Sequence, residues 1–219
     1  MVTLEDVKNN PEVKELVIGS QRHLDVLGYT EHSLRHVGIV SERAGQILQM
    51  LEYDEHTVEL AKIAGYLHDI GNCVNRSDHA HSGALLSYNI LKDMGMNERD
   101  RTDVMMAIGN HDEQTGRSVS DISAALILAD KSDVHRDRVV KDNKTFFDIH
   151  DRVNYAVTKA DLNIDNAEKK VTLKIDIDTK ICSVLNYFEI FMDRTIMSKY
   201  AAKYLKIWFE LIINDTKLL

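Results

Sequence analysis

The sequence predicts an all-α core carrying a small α/β appendage at its C-terminal end. Three observations lead there. Breakers are scarce: Pro11 is the only proline and ten glycines occur in 219 residues, which favours long helices. Apolar residues recur at three- and four-residue spacing from Val13 to Ala129. The period then drops to two in "VTLKIDID", where Val171, Leu173, Ile175 and Ile177 alternate with polar residues as in a half-buried strand. The expected division is 1–165 for the helical core and 166–219 for an appendage of a β-hairpin plus amphipathic helices.

Each element has its own signals. Asn10-Pro11 reads as a cap followed by a first-turn proline, and Val13, Leu16, Val17, Leu24 and Leu27 form a stripe that Gly28 stops. Thr30 or Ser33 caps the next helix, whose apolar face is Val37, Val40, Ala44, Ile47, Leu48 and Leu51. A third helix runs from about Asp54 to His68, and a polar loop follows from Asn72 to Asp78. Gly83 to about Met94 is helical, Asn97 caps a helix through Ile108, and Ser120 or Asp121 opens another that ends at Asp130. In the appendage, Asp178-Thr179-Lys180 turns the strand back into "ICSVL". A helix with Phe188, Phe191, Met192, Thr195 and Ile196 follows, then a last one with Ala201, Leu205, Trp208 and Ile212.

Composition narrows the function. At 44% apolar the chain has a real core, and its net charge of -8 argues against nucleic-acid polymers and anionic membranes as partners. Cys73 and Cys182 are too few for a disulfide framework or a CxxC zinc site and suit a reducing cytosol. The polar start "MVTLEDVKNN" does not read as a signal peptide, and the longest apolar run, Ala124 to Ala129, is too short to span a bilayer. The expected location is cytoplasmic, and the long amphipathic C-terminal helices make a homodimer plausible.

Among ten histidines, a few sit in places that need explanation. His36 lies on the apolar side of a helix. His68-Asp69 ends a buried one. His79 opens "HAHSGALL", His111 follows a helix in "AIGNHDEQTG", and Asp130 closes "AALILAD". A buried imidazole or carboxylate costs free energy without a partner, and a metal cation is one candidate. Neutral imidazoles with carboxylates suit iron, manganese, zinc or nickel, whereas magnesium prefers oxygen ligands. Adjacent helical residues point about 100° apart, so His68 and Asp69 can meet one centre at a helix terminus better than in mid-helix. They could equally serve two metals, with the Asp69 carboxylate between them. Capping and mutual pairing of these groups is the plainer explanation, but it leaves their clustering at helix ends unexplained.

The order His36, His68-Asp69, Asp130, with "LHDIGN" at its centre, resembles the HD-domain superfamily of metal-dependent phosphohydrolases over roughly residues 30 to 140. "HVGIV" resembles that family's first helix and "ILADKSD" its closing one. "HAHSGA" and "NHDEQTGR" resemble the binuclear members, which include bacterial dinucleoside tetraphosphate hydrolases. The resemblance implies that His36, His68, Asp69 and Asp130 hold one divalent transition metal ion, and that Asp69, His79 and His111 hold a second. His81 competes with His79, whose spacing to Gly83 fits better. The cyclic-dinucleotide branch carries a paired His and a GYP motif after its fifth ligand; here His111-Asp112 and then Thr115-Gly116-Arg117 stand instead.

The resulting expectation is an enzyme that hydrolyses a phosphoester or phosphoanhydride of a small phosphorylated molecule, most plausibly a nucleotide. A metal-activated hydroxide attacks phosphorus, Asp69 bridges the metals and positions or deprotonates that water, and Lys131 offsets phosphoryl charge. Arg117, Lys131 and Arg136 are the candidate substrate contacts, since arginine forks and lysine charges suit phosphate oxygens; the alternative is that "DKSDVHRDRVVKD" is a solvated face. The rival functions are a mixed-valent di-iron oxygenase on the same fold, which uses four His and two Asp ligands, and a non-catalytic regulatory module.

Overall fold

The computed structural model describes residues 2–29, 33–139 and 148–219. Among the described residues, seven helices precede the first strand's lead-in: α1 Leu4–Asn9, α2 Pro11–Leu27, α3 Leu34–Met50, α4 Glu55–Leu67, α5 His79–Asp93, α6 Glu98–Gly109 and α7 Asp121–Lys131. A short 3-10 turn, Ile70–Cys73, links α4 to α5, and another, Arg136–Arg138, follows α7. The chain continues through α8 Ile149–Ala156, β1 Val157–Asp165, β2 Lys170–Ile177, α9 Val184–Tyr204, β3 Trp208–Ile213 and β4 Thr216–Lys217. Among the described residues no helix is long and apolar enough to cross a membrane.

The expected caps largely hold. Asn10 accepts from Glu12 and Val13 N–H, Pro11 starts α2, and Gly28 ends it in the left-handed conformation at φ 77°. Ser33, Asp54, Asn97 and Ser120 cap α3, α4, α6 and α7. Thr30, the alternative cap for α3, lies outside the described residues. α7 is buried on every side from Ile122 to Lys131, as a helix apolar all round must be, and it packs against α3, α4, α6 and α9. It is the axis of the main core.

Several sequence expectations need correction. α1 went unseen because it is only six residues long; Thr3 and Asp6 stabilise it by a capping box. α5 begins at His79, four residues before Gly83, and the linker before it already starts as a 3-10 turn. The partner of β2 is β1, upstream and antiparallel, with Leu162 opposite Leu173 and Ile164 opposite Val171. "ICSVL" is not a strand: the chain leaves Asp178 through a turn and enters α9, which Ser183 caps. The last predicted helix ends at Tyr204. Lys206 at φ 60° breaks it, and Trp208–Ile213 pairs with β2 in parallel. Ala201, Leu205, Trp208 and Ile212 mimic helical spacing, while "WFELII" is aromatic and β-branched in character. The strand-bearing segment therefore begins at Val157, and the expected boundary at 165/166 falls at the turn between β1 and β2.

Sheet order is β1-β2-β3-β4. The side chains predicted to face inward on β2 do so: Val171, Leu173, Ile175 and Ile177 are buried. A second apolar cluster, with Val153, Tyr187, Phe191 and Leu211, forms between the sheet, α8 and α9. Val171, Met197 and Ala201 join instead the main helical core, so the appendage is packed onto the bundle.

α3 and α4 approach so closely that Gly65 has no room for a side chain. A Cβ there would lie 2.7 Å from Ser41 Cα and 2.9 Å from Ser41 N. Gly65→Ala is expected to cost about 1–3 kcal/mol in overpacking, measured as a lower midpoint in urea unfolding at unchanged slope.

Candidate metal centre

Four buried histidines and two aspartates meet where helices end. His36 sits in the first turn of α3, His68 closes α4, and Asp69 follows at φ -100° and ψ 1°, where the backbone has left the helix. That departure lets the adjacent pair face one centre. His79 is the first residue of α5, His111 follows α6, and Asp130 lies in the last turn of α7. His81 lies on the surface beside Asp78, more than half exposed.

Each imidazole is oriented through its Nδ1. His68 donates to Gly65 O at 2.8 Å, His79 to Arg76 O at 3.1 Å and His111 to Ile108 O at 2.7 Å. His36 Nδ1 lies 2.7 Å from Asp133 Oδ2. Carbonyls and carboxylates accept only, so Nδ1 carries the proton and the neutral ring's Nε2 is a lone pair. These lone pairs converge: His36 Nε2 is 3.3 Å from His68 Nε2, and His79 Nε2 is 3.2 Å from His111 Nε2.

The Asp69 carboxylate stands between the two pairs. Its Oδ2 is 3.6 Å from His36 Nε2 and 3.3 Å from His68 Nε2. Its Oδ1 is 3.6 Å from His79 Nε2 and 3.9 Å from His111 Nε2. Asp130 Oδ1 completes the first group, 3.5 Å from His36 Nε2 and 3.8 Å from His68 Nε2. Asn72 donates to Asp69 Oδ1 at 2.8 Å, fixing the carboxylate's rotation.

This donor set fits a metal. Two acceptor nitrogens at 3.2–3.3 Å repel unless a cation or a proton lies between them. Ligands on one ion about 2.0–2.1 Å away lie roughly 3.0–3.4 Å from each other, which is the spacing of each imidazole pair. The titration pattern agrees. Burial pushes His111 well below the usual imidazole range, and His68 and His79 push the same way. Burial also lowers His79. For His68 burial acts downward, but the Asp69 and Asp130 carboxylates outweigh it and raise the pKa, so that corner favours positive charge.

Around the donors lies a buried charge network. Asp133 is desolvated, yet its bond to His36 and the nearby Arg138 guanidinium hold its carboxyl well below the usual range. Burial pushes Asp130 up, but Lys131 chiefly overcomes it and keeps Asp130 well below. Lys131 Nζ lies 2.6 Å from Glu113 Oε2 and 2.7 Å from Asp130 Oδ2, so it is clamped between two carboxylates. Glu113 Oε1 in turn accepts from Arg194 Nε at 3.1 Å.

Two expected substrate contacts lie elsewhere. Arg117 is exposed, and Arg136 stacks on Tyr155 at 5.4 Å; neither lines the cavity beside the donors. The short loop after His111 carries Arg117 outward, and the 3-10 turn after α7 rotates Arg136 away from Asp130. That cavity, about 610 Å³, is lined instead by Arg76, Arg194, Tyr29, Phe191, Glu113 and Asp151, among others. Beside it, sharing Arg76, His79, Asp112 and Arg194 as lining, lies a recess of about 10 Å³ bounded by Asp69, His111, Asp130 and Lys131. Sequence reasoning missed Glu113, Asp133, Arg194 and Arg76. Asp133 had a signal, one helical turn after Asp130 in "ADKSD". Arg194 had none, since its place depends on α9 packing against α7.

A helical bundle whose element ends present four imidazoles and two carboxylates to one buried centre defines a metal-binding protein of the His/Asp class. The HD-domain family model matches residues 29–162, and the chain belongs to the HD-domain family, a superfamily of metal-dependent phosphohydrolases. It is 27% identical over 198 residues to the uncharacterized protein MJ1020 of Methanocaldococcus jannaschii, covering 80% of this chain and 75% of that one. It is also similar to the crystal structure of a predicted HD superfamily hydrolase from an uncultured Thermotogales bacterium. That match has 28% identity and a TM-score of 0.45 and covers 57% of this chain and 67% of that one.

Partners that orient a ligating histidine commonly affect metal affinity by about 10–100-fold. Asp133→Ala is expected to weaken metal binding by that order, measured by competition with a chelating dye, with the fold retained by circular dichroism.

Proposed function

We propose that this chain hydrolyses a phosphoester or phosphoanhydride of a small phosphorylated molecule, a nucleotide first among the candidates, using two divalent transition metal ions. One observation carries the reading: a single carboxylate, Asp69, offers one oxygen to each of two imidazole pairs. His36, His68, Asp69 and Asp130 would hold one ion, and Asp69, His79 and His111 the other. Bound there, such ions would stabilise phosphoryl charge and lower the pKa of water toward 7.

The chain's own groups do the rest. The Nδ1 bonds keep every ring in the tautomer that presents a lone pair. Asn72 holds the Asp69 carboxylate so that both oxygens stay directed inward. Lys131 fixes Asp130 Oδ2 and leaves Oδ1 toward His36 and His68, and its positive field reaches the recess where phosphoryl oxygens would gather charge. The 610 Å³ cavity leaves room for a leaving group much larger than phosphate.

Metal analysis followed by a screen of nucleotides and dinucleotides for phosphate release tests this. Asp69→Ala should abolish turnover and strip metal from both groups. His79→Ala should lose about one ion and keep the other. Unchanged turnover in Asp69→Ala, or oxygen consumption with a mixed-valent di-iron EPR signal and no phosphate release, would overturn the reading.

A further inference from the structure

Arg194, on α9 and outside the residues that match the HD family model, borders both the outer cavity and the inner recess. Among the described residues three others do so: Arg76, His79 and Asp112. The two guanidinium groups therefore stand where the outer cavity and the inner recess adjoin. Both are oriented before any ligand arrives. Arg194 is tied at Nε to Glu113 Oε1 and stacks on Phe191 at 4.8 Å, while its terminal Nη groups carry no hydrogen bond to any described residue. Arg76 is held by Asn72 Oδ1 at 3.2 Å and lies over Tyr29 at 5.7 Å, with Nη1 only 3.4 Å from His79 Nε2.

Lys131 contrasts with them. Its ammonium is already shared by Glu113 and Asp130, so it offers its charge to the recess but little free hydrogen-bonding capacity. A guanidinium with its Nε occupied still presents two donors in a plane, the geometry that grips two oxygens of one phosphoryl group.

We propose that Arg194 and Arg76 form the phosphate clamp of this site, Arg194 contributed by the C-terminal appendage. The clamp rests on the reading of the site as a phosphohydrolase. α9 packs on α7 through Met197 and Ala201 in the main core, and that packing brings Arg194 beside the donors. The ligand class is a terminal phosphoryl group whose non-reacting oxygens lie between the arginines while the rest of the molecule fills the outer cavity.

The test uses the full-length, manganese-loaded protein and inorganic phosphate as probe, by calorimetry. Arg194→Ala should weaken phosphate binding roughly ten- to a hundredfold, the loss of hydrogen bonds to a charged group, with metal content unchanged. Arg194→Lys, which keeps the charge without the fork, should fall between. Arg76→Ala should weaken binding likewise, and covers the case in which Arg194→Ala does not fold. Phosphate affinity at the wild-type level in Arg194→Lys and Arg76→Ala with full metal, or no phosphate binding by the wild type, would overturn the clamp. Phosphate held through Arg194 by a protein that cleaves no phosphoester would leave the clamp standing and sink the hydrolase reading instead.

Discussion

Lone pairs forced together inside a protein are the constraint that organises this molecule. Four imidazole nitrogens and two carboxylates point into one buried recess, and the nitrogens of each pair are 3.2–3.3 Å apart. Such a cluster is unfavourable by itself, because burial removes water from the acceptors and the few donors nearby, Asn72 and Lys131 among them, reach only some of their lone pairs. The surrounding residues compensate in layers. Backbone carbonyls and Asp133 take up the outward N–H of each ring, and Asn72 occupies one edge of Asp69. Lys131, Glu113 and Arg194 then balance Asp130 in an alternating chain of charge. What is left over is a set of imidazole lone pairs and carboxylate oxygens that face one another across the centre.

The fold assembles that set by stopping its helices at the centre. α4 ends at His68, α5 begins at His79, α6 ends just before His111, and α7 reaches its last turn at Asp130. A helix terminus frees backbone groups and lets neighbouring side chains diverge from the 100° helical step. The 3-10 turn after Asp69 is held against α5 at very short range: a Cβ on Gly71 would lie 2.0 Å from His79 O. The same contact that brings the two segments together therefore sets the distance between Asp69 and His79. Packing density and ligand geometry are one property here.

How much of this can be read without coordinates depends on how local the cause is. Asn10-Pro11, Gly28, Asn97 and Ser120 act on their own few residues, and the structure finds them as caps. "LHD" and "AALILAD" sit at helix ends that periodicity alone locates. Other features mislead for equally local reasons. Trp208 and Ile212 fall on a helical stripe by coincidence, but Lys206 breaks the backbone and the open edge of β2 recruits them as a strand. β1 hides because "VTKADLNID" has one mostly solvated face. Arg117 and Arg136 look well placed beside His111 and Asp130, yet sequence adjacency says nothing about which way a loop or a 3-10 turn aims a long side chain.

The amino-acid order by itself determined the helical core and the strand "VTLKIDID", because periodicity and capping are short-range properties, and its resemblance to the HD domain singled out the six His and Asp residues that the fold brings together. Tertiary structure alone decided that Asp69 divides its oxygens between two imidazole pairs and that Asp133 orients His36. It also decided that a C-terminal arginine stands where the outer cavity and the inner recess adjoin. Those outcomes depend on distances between segments as far apart as His36 and Asp133 or Glu113 and Arg194, which only the packing of α3, α7 and α9 sets.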